Sequence, residues 1–197
     1  MGQSGRSRNR RPVEPPGGPN LHVFPTNLGW FAILGVEQRL AAVFVGHASD
    51  ADVRQAVARY STETGREATA VDRDWHPELR RRLEQYTLGA RVDFDDIEVE
   101  LPELSDFQRQ VIRATRRIRY GKTLSYGELA EKAGFPRAAR AVGTVMSSNR
   151  FPIVIPCHRV VAAGGKTGGY TSPQGVSLKL RLLGLEAEGD LATFAKM

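Results

Sequence analysis

The chain has 197 residues and a single cysteine, Cys157. One thiol can close no internal disulfide and can build no multi-cysteine zinc site. A chain that does without disulfides fits a reducing compartment, so a cytoplasmic protein is expected, at the nucleoid in a prokaryote or in the nucleus of a eukaryote. Histidine is also scarce, and His22, His47 and His76 stand far apart without metal-ligand spacing. They read as surface or locally bonded side chains, and no metal site and no cofactor are expected. No apolar run approaches the roughly 20 residues of a membrane span, which excludes a membrane partner through a spanning helix. The basic N-terminus has no apolar stretch behind it and does not read as a secretory signal. A hydrophobic content of 41% with 25% charged residues is that of an ordinary soluble globular protein, expected here as a monomer.

What charge there is lies unevenly. Residues 1–20 carry +3, residues 21–104 carry −6 and residues 105–197 carry +9. An acidic half therefore precedes a basic half, and a basic half suits a polyanionic partner. A solvated arginine-rich helix face would give the same balance.

Residues 1–20, with P-V-E-P-P-G-G-P, lack apolar periodicity and read as a disordered basic tail. Residues 21–103 read as a small α+β domain. L-G-W-F-A-I-L and L-A-A-V-F-V form a hairpin over 28–46, and Ser49-Asp50 caps a helix carrying Val53, Ala56, Val57 and Tyr60. A second helix carries Leu79, Leu83 and Tyr86, and I-E-V-E-L at 97–101 alternates as a half-buried strand. From residue 104 to 197 the pattern is mainly helical. Ser105 with Gln108 and Ser125 with Glu128 are capping boxes; Gly121 is expected to stop the first of these helices, and Pro136 to sit just inside the third. The helices on either side of A-G-F-P form a helix-turn-helix, the later one rich in alanine and glycine. Small residues let a helix approach another surface closely. A buried strand I-V-I, a glycine-rich loop and a leucine-rich helix with Glu186 near its end complete the chain.

One motif is a decoy. G-K-T at 165–167 imitates the end of a phosphate-binding loop, but the first glycine of that motif would fall at Val160. The chemical candidate is I-V-I-P-C-H-R-V-V. A lone cysteine is most often buried and inert. Here Pro156 breaks the apolar run just before Cys157, His158 offers a base, and Arg159 adds positive charge that favours a thiolate. Neighbouring strand residues point to opposite faces, so Cys157 and His158 need a turn, or a water between them, to exchange a proton. Glu186 is placed to orient the imidazole.

P-C-H-R-V-V after an apolar run resembles the active-site signature of the O6-alkylguanine-DNA alkyltransferases, the methylated-DNA–protein-cysteine methyltransferases. S-Y-G-E-L-A, A-A-R-A-V-G, S-N-R-F-P-I-V-I, the later G-Y and L-L-G-L-E follow in family order over roughly residues 104–188. The resemblance implies an α+β fold, with a small ribonuclease-H-like N-terminal domain and a mainly helical winged-helix (helix-turn-helix) C-terminal domain. It implies irreversible, stoichiometric transfer of an alkyl group from O6-alkylguanine in double-stranded DNA, and also from O4-alkylthymine, to the cysteine, after the nucleotide is flipped out through the minor groove.

By position the resemblance makes Cys157 the nucleophile, and His158 with Glu186 the water-mediated base and its orienter. Asn149 braces the turn. Tyr126 assists departure of the guanine and crowds the backbone phosphate, while Arg140 enters the duplex in place of the base. Met146, Val160, Tyr170 and Thr171 border the guanine pocket. Gln108, Gly127, Phe135 and Ala163 touch the DNA backbone, the last three through main chain only. Arg150 departs from the pattern, standing where many members have proline. Two other classes stay open: an alkyltransferase-like protein that binds lesions without reacting, and a cysteine hydrolase. The first lacks the cysteine, and the second has no use for a helix-turn-helix.

Overall fold

Three strands, β1 (Asn20–Thr26), β2 (Gly29–Val36) and β3 (Arg39–His47), pair antiparallel in that order. They open the computed structural model, which describes residues 19–36, 38–65 and 72–194. All but the last two residues of the expected basic tail lie outside the described residues, and Asn20 already belongs to β1. The expected hairpin is β2–β3. β1 has no counterpart in the sequence reading, because Pro25 and His22 interrupt its apolar residues; proline is tolerated there since β1 is an edge strand.

β2 is buried on both faces. Phe31 and Ile33 join Leu79, Leu83 and Tyr86 of α2 (Pro77–Thr87), while Ala32 and Leu34 pack under Val53 and Val57 of α1 (Asp50–Thr64). The period-2 alternation of a strand is what divides these neighbours between two layers. Ser49 caps α1 as expected, and His76 caps α2 through its ring. Gly35 must be glycine: a Cβ there would stand 2.0 Å from the Trp75 ring. The strand expected at 97–101 reduces to a single parallel bridge between Leu40 and Val99, since only the carbonyl of Glu98 and the amide of Glu100 reach Leu40.

Both capping boxes are formed, at α3 (Asp106–Arg116) and at α4 (Tyr126–Lys132). α3 does not run on to Gly121. The amides of Arg117 and Ile118 turn back to Ala114 and Thr115, which ends the helix and brings Ile118 into the core. Pro136 lies in the turn between α4 and α5 (Ala139–Ser147) rather than inside a helix, and Arg137 beside it has φ +73°. Strand β4 (Leu124–Ser125) pairs parallel with β5 (Val160–Val161).

I-V-I is not a strand. Phe151 to Ile155 form a wholly buried turn in which Ile153 has φ +72°, a conformation that β-branched residues rarely adopt. Burial and strand period are separate properties, and a three-residue apolar run reports only the first. Cys157–Arg159 is one 3-10 turn. α6 (Val176–Phe194) outlasts its leucine-rich part, so Glu186 is inside the helix and not near its end. Phe151, Ile153, Ile155, Leu178 and Leu182 share one hydrophobic cluster with Phe31, Ile33 and Tyr86, and Val43 N–H donates to the Arg150 carbonyl at 2.8 Å. The N-terminal sheet is thus the floor on which the cysteine turn rests.

Candidate active site

Cys157 projects from the 3-10 turn toward a cavity of about 280 Å³. Tyr126, Gly143 and Met146 line one part of it; Tyr170 and Thr171 line another. Asn149 holds the turn from behind. Its Nδ2 donates to Cys157 Sγ at 3.0 Å and to the Ile155 carbonyl at 2.9 Å, and its Oδ1 accepts from Phe151 N–H. Burial pushes the Cys157 thiol pKa up, against the opposing pull of the Asn149 donor and of the Lys179 charge. At neutral pH the resting sulfur therefore carries its proton, and a base is needed to remove it.

His158, the expected base, is turned away from the sulfur toward Glu186. His158 Nε2 is 2.8 Å from Glu186 Oε1, both side chains being fully buried. Glu186 is held down to about 2; its own burial opposes this, and it is overcome by the bond to His158 and the contacts of Arg159. An ionised carboxylate only accepts, so Nε2 carries the hydrogen and Nδ1 carries the lone pair. Nδ1 is buried and has no hydrogen-bond partner among the described residues. Burial lowers the His158 pKa, leaving the ring neutral and able to accept a proton at Nδ1. Cys157 and His158 make no direct hydrogen bond, since the imidazole is turned to Glu186.

Glu186 collects an unusual number of donors. Arg159 Nε contacts both carboxylate oxygens at 3.1 and 3.0 Å, Arg159 Nη2 contacts Oε1 at 2.9 Å, Gly121 N–H reaches Oε2 at 3.0 Å, and Tyr86 OH reaches Oε1 at 2.7 Å. Arg159 was expected to bias Cys157 toward thiolate. Its guanidinium is instead committed to Glu186 and to the Ile118 carbonyl at 2.6 Å. The cation that acts on the sulfur is Lys179, buried in α6, whose Nζ donates to the carbonyls of Val160 at 2.5 Å and Gly169 at 3.3 Å.

The remaining expected site residues divide into two groups. Tyr126 stands at the first turn of α4; burial first, then the Cys157 charge, raises its pKa and keeps its hydroxyl a donor. Gly168, at φ +69°, lies so close that a Cβ would meet the Tyr126 hydroxyl at 3.0 Å. Thr171 Oγ1 bonds the Ser147 carbonyl, and the Tyr170 hydroxyl is buried without a partner among the described residues. Val160 faces the core beside the cysteine. Apart from Tyr126, which lines the cavity, the residues expected at DNA lie outside it. Arg140 is exposed at the second position of α5, Gly127 is at the start of α4, and Ala163 is in an exposed turn. Phe135 packs edge-on to Phe107 at 5.0 Å, and the Gln108 side chain closes the capping box of α3.

Tyr86 and Lys179 escaped the sequence reading as site residues. Each is buried at a core position of its helix, and for Tyr86 the periodicity signals packing alone. For Lys179 a signal exists: it falls on the buried stripe of α6 between Leu178 and Leu182, where a charge is costly unless it has partners.

A buried cysteine on a cavity wall, an imidazole–carboxylate pair next to it and two short helices joined by a turn beside it are the features expected of a thiol-nucleophile protein on a DNA-binding type of scaffold. Comparison with known proteins agrees. The sequence profile for the 6-O-methylguanine DNA methyltransferase DNA-binding domain matches residues 106–188. The chain is 46% identical over 110 residues to the methylated-DNA–protein-cysteine methyltransferase of Methanosarcina acetivorans, covering 55% of this chain and 67% of that protein. It is 50% identical over 105 residues to that of Mycolicibacterium paratuberculosis, covering 53% and 61%. The crystal structure of a single-substitution variant of Mycobacterium tuberculosis OGT superposes with a TM-score of 0.70 at 31% identity, over 86% of this chain and 93% of that one. The OGT of the same organism in complex with DNA gives 0.65 at 30%, over 86% and 94%. The chain belongs to the methylated-DNA–protein-cysteine methyltransferase family.

Proposed function

We propose that this protein repairs O6-alkylguanine in double-stranded DNA by moving the alkyl group to Cys157, once per molecule. The observation that carries the reading is Cys157 on the cavity wall, followed directly by His158, whose Nε2 is bound to Glu186 and whose buried Nδ1 has no partner among the described residues. His158 Nδ1 takes the thiol proton through a bridging water, and Glu186 stabilises the imidazolium that results. The thiolate attacks the alkyl carbon in line. The S–C bond forms as the C–O6 bond breaks, and the electron pair leaves with the guanine, which gains a proton while Tyr126 donates a hydrogen bond to it. The proton taken by His158 balances the one that guanine gains, and the thioether remains on the protein. O4-alkylthymine presents the same carbon–oxygen bond and is a second substrate.

A thiol on this wall cannot reach a stacked base, so the nucleotide is turned out of the duplex, which costs a few kcal/mol. Exposed Arg140 fills the gap, and the small residues of α5 enter the minor groove, where sequence readout is poor. Backbone contacts at Gly127, Phe135 and Ala163 and the charge of the basic half supply affinity. Residues 104–197 are read as the winged-helix-type reactive unit acting as a monomer, and residues 21–103 as a ribonuclease-H-like support. The OGT relative was captured with DNA, and Cys157 separates this chain from non-reacting lesion binders.

The test is an intact-mass and peptide-mass measurement after mixing with a duplex holding O6-methylguanine. Cys157 should gain one methyl group and no molecule should react twice. Tight lesion binding with unmodified Cys157 would overturn the reading in favour of a binding protein.

A further inference from the structure

We propose that Tyr86, on a helix of the N-terminal α+β part, is a positioning residue for the proton relay, setting the basicity of His158 through the carboxylate of Glu186. The inference rests on the relay read above. Tyr86 is wholly buried, its ring held edge-on between Phe94 and Tyr120 at centroid distances of 6.1 Å. Its hydroxyl has one proton and two neighbours: Glu186 Oε1 at 2.7 Å and His158 Nε2 at 3.1 Å. Nε2 already carries a hydrogen aimed at Oε1, so the hydroxyl must donate to the carboxylate, and its oxygen shares the Nε2 hydrogen.

The consequence is electrostatic. Oε1 is the one oxygen that faces the imidazole, and Tyr86 is the neutral donor on it beside Arg159. A hydrogen bond to Oε1 draws negative charge away from His158 and makes the imidazolium less favourable. The other groups that bear on the ring are Arg159 from its own turn and Lys179 from α6, both of which lower its pKa. Tyr170 and Arg159 act on Tyr86 itself, whose own pKa is raised by burial and by the adjacent carboxylate, so the hydroxyl stays protonated throughout. Tyr86 therefore tunes without titrating. The contribution crosses the chain: His158 and Glu186 lie on the C-terminal half, yet the hydroxyl that limits the basicity of the pair comes from α2, 72 residues before His158.

The experiment uses the full chain. In Tyr86→Phe the ring and its packing stay and only the hydroxyl goes. Without that donor the carboxylate is more basic, His158 takes its proton at higher pH, and the acid limb of single-turnover methyl transfer moves up by on the order of half to one pH unit. Replacing Tyr86 with 3-fluorotyrosine, a stronger donor of the same shape, should move that limb the opposite way. A third reading follows the His158 ring by NMR titration in the Cys157→Ala background, where no reaction occurs, and its midpoint should shift in the same directions. Superimposable profiles and an unmoved His158 midpoint in both variants would overturn the proposal. If the unsubstituted protein leaves Cys157 unalkylated, the repair reading fails, while the titration still decides what Tyr86 does.

Discussion

Asn149 Nδ2 donates at once to Cys157 Sγ, at 3.0 Å, and to the Ile155 carbonyl, at 2.9 Å. One amide thus ties the Cys157 sulfur to the turn that presents it. The turn needs such a tie, because Ile153 within it holds φ +72° and would relax without outside constraint. Asn149→Ala removes both donors and the acceptor for Phe151 N–H. The expected cost is about 2–4 kcal/mol, from unpaired groups in a buried turn. Thermal unfolding measures that loss. Single-turnover alkylation should slow as well, since the thiolate loses a donor, and a variant with unaltered Tm would show that the turn holds itself.

Acid sensitivity follows from the buried His158–Glu186 pair. Glu186 has its pKa depressed from 4.5 to about 2, so it contributes stability that is complete above 4.5 and is lost as pH falls toward 2. Linkage over that interval is worth about 3 kcal/mol. His158, also depressed, adds a loss in the same direction, beginning when the unfolded histidine protonates below its ordinary value of 6.5. Denaturant unfolding across this range should show stability falling steadily from pH 6.5 downward. Glu186→Gln should be less stable at neutral pH and show a flatter decline between 4.5 and 2. Parallel curves for the two proteins would contradict the assignment of the acid limb to this carboxylate.

These relationships were unequally legible in the sequence. Cys157, His158 and Asn149 lie within one short stretch, and Glu186 closes a motif of its own, so local pattern reaches them. The capping boxes of α3 and α4 are likewise local chemistry, and both formed. The run at Ile153 misled because apolar content sets burial, while the backbone turns at Ile153 and is held by the Asn149 contacts to Phe151 and Ile155. Arg159 was misassigned because adjacency to Cys157 in sequence says nothing about direction, and its guanidinium points to α6. Tyr86 and Lys179 join the site only through tertiary packing, across 100 residues in the case of Tyr86 and Glu186.

Lys179 yields the next prediction. Its ammonium bridges Val160, on the strand after the cysteine, and Gly169, next to the pocket residue Tyr170. Burial lowers its pKa and the charge of Cys157 raises it, so lysine and thiolate support one another. Lys179→Met keeps the aliphatic length but orphans two carbonyls and deletes the charge. Stability should fall by about 2–3 kcal/mol. The alkaline limb of alkylation, where thiolate forms directly, should shift to higher pH because burial of the sulfur is then less well opposed. Unfolding and a pH–rate profile separate the two effects; a loss of stability with no movement of the limb would reduce Lys179 to a clamp.

Arg140 tests the flipping step apart from the chemistry. It is exposed on the helix-turn-helix, away from the Cys157 cavity, and makes no ion pair among the described residues. Arg140→Ala should leave the fold intact, with Tm unchanged. Filling the gap left by a flipped nucleotide offsets a few kcal/mol, so repair of duplex O6-methylguanine should slow by roughly 10- to 100-fold. Reaction with the free base O6-benzylguanine needs no flipping and should proceed at close to the unsubstituted rate. The difference should narrow when the lesion is placed opposite an abasic site, where the target base has no pairing partner. Equal losses on duplex and free base would place Arg140 in the chemistry or in folding, and would remove it from the duplex.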